Sequence, residues 1–199
     1  VRVRAVPERG RANAAALATR ANAPRLVRIY RHYAKGEALA ALGDAPGVRR
    51  EADRVLSLLV ESLKAGETGN ADTASIAADV LGGRAALLAH DPAKAVELFA
   101  RAAARQEKVY PVAKNFDPPP WWYPVRRSLA AAQLAAGRPD EAVREANASL
   151  AGWPDDALAL KVLSQAEARQ GHAAAARQDM ARATRVWHGD LAKVPLALI

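Results

Sequence analysis

The sequence predicts an all-α domain, an α–α superhelix of stacked antiparallel helical hairpins. Three observations carry that expectation. The chain is 51% apolar but only 5% aromatic, with alanine-rich stretches at 12–18, 100–104 and 173–176. Alanine is the best helix former and lets helix axes approach closely, whereas a β-sandwich needs branched and aromatic strand residues. A helix–glycine–helix unit recurs at an interval of 34 residues: Leu129 and Leu163, Ala132 and Ala166, Gly137 and Gly171, Ala142 and Ala176. Two earlier units precede it at a wider interval, with Gly36, Gly83 and Ala130 spaced 47 and 47 apart, and Val48, Ala95 and Ala142 likewise.

The elements follow in order. Residues 1–28 form a basic flank, read as helical and as the remnant of an earlier repeat. Repeats are expected over about 29–62, 76–109, 123–156 and 157–188, with insertions near 63–75 and 110–122, and an apolar tail or cap at 189–199. In the last two units the turns read "AAGRPDEA" and "ARQGHAAA". Gly137 and Gly171 stand where a first helix ends in a left-handed residue. Pro139 opens the following helix with Asp140 and Glu141 in its first turn, where the helix dipole favours acids, and Pro154 stops that helix. The excess of 13 residues in each wider interval falls in "LVESLKAGETGNAD" and "YPVAKNFDPPPWWY", between units. No single hairpin can bury its apolar side alone, so stability must come from stacked neighbours. The expectation is an arc of about nine or ten helices with at least four hairpins.

Charge is unevenly spread. Of a net +8, all lies in residues 1–35, which hold nine basic residues and one acid, while the remainder has 20 of each. A basic flank on a neutral body attracts nucleic acid, anionic lipid or an acidic partner. Aromatic stacking residues are nearly absent there, so nucleic acid is not the expected partner. Cysteine is absent, which excludes disulfides and thiolate metal sites. No run approaches the roughly 18 apolar residues that span a bilayer. The compartment is left open between cytoplasm and periplasm.

The quoted units resemble the tetratricopeptide repeat, whose period is 34 residues. The small residues three after Leu129 and Leu163, Ala142 and Ala176 opening the second helices, Ala95-x3-Phe99, and Pro154 at a boundary all fit. The large aromatics of the first helix are replaced: Arg126 or Leu160 stands where Trp is usual, and Gln133 or Glu167 where Tyr is usual. The stretch Pro118–Leu129, "PPPWWYPVRRSL", also resembles one found in the C-terminal half of a group of bacterial tetratricopeptide proteins of undefined role, a likeness covering about residues 30–187. It brings no catalytic residue with it.

In such a stack the concave face is lined by the first helix of each hairpin. The resemblance therefore implies Tyr33, Arg84, Arg127, Lys161, Gln165 and Arg169 as groove residues, with Arg84, Arg127, Lys161 and Arg169 forming a positive stripe suited to an acidic protein or peptide segment. The carboxylate clamp of one subclass needs a Lys and an Asn on successive helices. Tyr33 and Glu37 stand there instead, so that clamp is not expected. Trp121, Trp122 and Tyr123 follow three prolines, 118–120, that favour a stiff extended segment. They either grip a partner at the groove mouth or plug the gap left by the insertion, with one Trp inward and one outward satisfying both.

No enzyme is expected. His32, His90, His172 and His188 lack metal-ligand spacing, no glycine-rich loop follows a strand, no serine sits in a nucleophile elbow, and no cofactor or metal is called for. The expected function is a non-enzymatic scaffold or adaptor holding a peptide or protein segment. The alternative is a regulatory or sensor module of a larger protein whose basic N-terminal segment contacts nucleic acid or another anion. For "LAKVPLALI" at 191–199, three roles stay open: a cap on the last hairpin, a truncation scar, or a tail that enters the groove of another copy and drives self-association.

Overall fold

The structure is a computed structural model that describes residues 23–111 and 121–199. Among these, eight α-helices and two 3₁₀ turns occur and no strand. They are α1 (Arg25–Ala41), α2 (Ala45–Lys64), α3 (Ala71–Leu88), α4 (Pro92–Val109), α5 (Arg126–Ala135), α6 (Pro139–Gly152), α7 (Ala157–Arg169) and α8 (Ala173–Val186), followed by turns at Leu191–Lys193 and Leu196–Leu198. Against the expected nine or ten helices of the chain, eight lie among the described residues. Residues 1–22 of the basic flank at 1–28, and the prolines at 118–120, lie outside them.

Each helix packs on the next along the chain, so the fold is a row of antiparallel hairpins, α1–α2, α3–α4, α5–α6 and α7–α8. The reasons are local. Every hairpin turn contains one left-handed residue: Gly43 at φ 75°, His90 at 59°, Gly137 at 75° and Gly171 at 83°. That conformation ends the first helix and reverses the chain. Three of the four second helices, α2, α4 and α6, then start on caps or prolines. Asp44 accepts from the Gly47 amide and Asp91 from the Lys94 amide, with Pro46 and Pro92 in the first turn; Pro139 opens α6 with Asp140 and Glu141 beside it. These satisfy amides that a helix start leaves unpaired.

Close helix approach depends on missing side chains. A Cβ on Gly36 of α1 would lie 2.6 Å from Leu81 of α3, and one on Gly83 of α3 would lie 2.7 Å from the Phe99 ring of α4. The first helices α1 and α3 pack together, as do α5 and α7, but α3 and α5 make no comparable contact. Two cores result. One spans α1–α4 and takes in Trp121, Tyr123, Val125 and Leu129; the other spans α5–α8 with Leu191 and Ile199. At the far end of the row α2 leaves Leu56, Val60 and Leu63 exposed. No described helix is long and apolar enough to cross a membrane.

The tail does not cap the last hairpin alone. After Trp187 the chain turns at Gly189 (φ 117°) and runs back across the first helices. Its Leu196–Leu198 turn packs on α5, α3 and α1. Leu198 joins the first core, while Leu191, Val194, Leu196 and Ile199 join the second. The tail therefore bridges the gap between α3 and α5.

Candidate functional site

The groove residues named from the sequence all fall on first helices, and most of them are engaged with the protein itself. Tyr33 on α1 is 4% exposed and meets the rings of Trp121 and Trp122 edge-on, at centroid distances of 5.2 and 5.4 Å. Burial pushes its phenol well up, with Tyr123 and Glu37 adding to the shift. Arg84 on α3 is 3% exposed and donates to Glu37 Oε1 at 2.7 Å and to the Ala197 carbonyl at 3.0 Å. Burial works against its charge, but Tyr123, Glu37 and Tyr33 more than offset that and hold it as a cation. Arg127 on α5 donates to both Asp156 oxygens at 3.1 and 3.3 Å and lies 4.3 Å over the Tyr123 ring. Asp156 in turn caps α7 through the Leu158 and Ala159 amides.

Lys161 on α7 is 3% exposed and donates to the carbonyls of Leu191 at 2.7 Å and Val194 at 2.5 Å. Burial pulls its ammonium below the usual lysine range, with Asp190 opposing. Arg169, at the end of α7, is exposed and donates to the Leu134 carbonyl at 2.5 Å. Gln165 is half-buried between them. Within the expected positive stripe, Arg84 and Arg127 are paired with carboxylates, Lys161 donates to the tail, and Arg169 is exposed.

Ser128 was not singled out in the sequence, and it completes the arrangement. It is fully buried, and its hydroxyl donates to the Ile199 main-chain oxygen at 2.5 Å. From Leu191 to Ile199 the tail is therefore received at four main-chain oxygens by Lys161, Arg84 and Ser128. No side chain of the tail carries these bonds. A local sequence signal for this does not exist, because Arg84 and Ala197 are 113 residues apart.

The aromatic segment divides between roles. Trp121 and Tyr123 are buried, while Trp122 is 50% exposed and stacks on Trp121 at 4.7 Å. Gln106 of α4 pins the segment, donating to the Tyr123 carbonyl and accepting from the Val125 amide, both at 2.8 Å. Sequence reading passed over Gln106, since a glutamine on a helix has no distinguishing pattern. Trp121 Nε1 and the Tyr123 hydroxyl are buried without a hydrogen-bond partner among the described residues. The described residues contain no group of three histidine or acidic side chains placed to hold a metal ion. No protein-family model matches this chain, and no curated protein matches it either.

Proposed function

We propose that this chain is a non-enzymatic helical-repeat scaffold of the tetratricopeptide kind, whose groove, lined by α1, α3, α5 and α7, holds a segment of another polypeptide. One observation supports the reading: the first helices already receive a peptide segment, the chain's own tail, through its main-chain oxygens. A surface that satisfies a peptide backbone and buries several of its apolar side chains is suited to polypeptide recognition. Trp122, exposed beside the groove, adds an aromatic contact of the type that dominates interfaces.

The nucleic-acid alternative gains nothing from α1. Its Arg25 pairs with Glu61 and Glu67, and Lys35 with Glu51, so part of the basic flank is neutralised internally. Counterion release needs cations that are available to phosphate.

The test is a library of nine-residue peptides carrying a photoreactive group, presented to the full chain. Saturable binding with cross-links on α1, α3, α5 or α7 is expected. Cross-links confined to α2, α4, α6 and α8, or no saturable binding at all, would overturn the proposal.

A further inference from the structure

We infer that the tail Leu191–Ile199 is an internal ligand, and that the exchangeable guest of this groove is a proline-containing segment with apolar anchors, patterned like it. The inference rests on the scaffold reading above and names the class of its guest.

The backbone contacts are generic. Lys161, Arg84 and Ser128 address main-chain oxygens only, which any polypeptide supplies. Specificity falls to the apolar anchors. Leu191 and Ile199 are buried, and Val194, Leu196 and Leu198 are half-buried against the two cores. Between the two 3₁₀ turns, Val194 (φ −81°, ψ 110°) and Pro195 (φ −74°, ψ 156°) are extended. Proline is pre-organised for that geometry, while Ala192, Lys193 and Pro195 face solvent. A guest therefore needs large apolar residues at the places of Leu191, Val194, Leu196, Leu198 and Ile199, with proline after the second.

Charge argues against an acidic guest. Glu37 holds Arg84, and Asp156 holds Arg127. A carboxylate placed near either arginine would meet the acid already there, and like charges in a poorly solvated site are costly.

The tail is tethered through the exposed residues His188, Gly189 and Asp190. A short tether gives a high effective concentration, so the tail competes with any guest supplied in solution. The experiment uses a fluorescent peptide of residues 189–199, read by anisotropy against the native full chain and a full-chain L191S/I199S variant, with circular dichroism confirming the helices. The variant is expected to bind the peptide at least about tenfold more tightly than the native chain, and K161M added to it is expected to remove most of that gain. A peptide with Asp at the Leu196 position should not compete.

Equal affinity of native chain and variant would overturn the internal-ligand inference while leaving the scaffold reading standing. Binding to neither would overturn both. Tighter binding of the Asp peptide would overturn the guest class alone. Should the variant lose its helices, hydrogen exchange on the native chain decides the matter. Excess peptide is expected to speed exchange of the amides at 191–199, and unchanged exchange there would overturn the inference.

Discussion

At the scale of single residues, the four hairpin turns form an internal comparison. Gly43, Gly137 and Gly171 occupy the left-handed position in three hairpins, and His90 occupies it in the other at φ 59°. A side chain with a Cβ is strained there, by roughly 1–2 kcal/mol for an ordinary residue. The substitution H90G is therefore expected to stabilise the protein by about 1 kcal/mol, seen as a higher Tm. Glu167 is a second site of local conflict. Burial raises its pKa, and Asp179, which it faces, raises it further, while His172 pulls the other way. Asp179 itself pairs with Arg182 at 2.8 Å. An acid whose folded-state pKa is raised binds more protons folded than unfolded across that window, so stability falls as pH rises through it. E167Q is accordingly expected to raise the Tm at neutral pH, by the equivalent of about 1 kcal/mol, with the gain vanishing below about pH 4.

At the scale of elements, two contacts set how helices meet. Phe99 is 1% exposed and fills the space beside Gly83, where a methyl group would sit 2.7 Å from its ring. G83A gains about 1 kcal/mol of helix propensity but overpacks a rigid ring at about 1–3 kcal/mol. Net destabilisation is expected in chemical denaturation, and F99L in the same chain is expected to recover part of it. Gln106 offers a second test. Q106A leaves the Tyr123 carbonyl and the Val125 amide without the side chain that now pairs them. A loss of about 1–3 kcal/mol is expected, together with red-shifted tryptophan emission as the stack on Trp121 loosens.

At the scale of the whole molecule, the tail joins two cores that α3 and α5 do not join directly. In a repeat array, cooperativity depends on interfaces between neighbours. K161M frees the carbonyls of Leu191 and Val194 from their donor, at a cost of about 1–3 kcal/mol. Its denaturant transition is expected to broaden, with a lower m-value than the native chain, as the two halves begin to unfold separately. An unchanged slope would show that the halves are coupled without the tail.

Much of this architecture was legible because it is written in short-range physics. Gly137 and Gly171 mark left-handed turns, Pro139 with Asp140 and Glu141 marks a helix start, and the recurrence of small residues from Gly36 to Gly83 marks close approach. Each acts within one turn of the chain or through a repeated spacing, so the primary sequence alone determined an all-α row of helical hairpins and the helices that carry Tyr33, Arg84, Arg127 and Lys161. Only the tertiary structure decided what those residues do. Arg84 meets Ala197 across 113 residues, and Ser128 meets Ile199 across 71. The physical reason is that a buried cation takes whichever acceptor the fold brings to it. No local pattern announces that acceptor, so Arg84 and Lys161, read as open positive charge, became part of the seat of the chain's own tail.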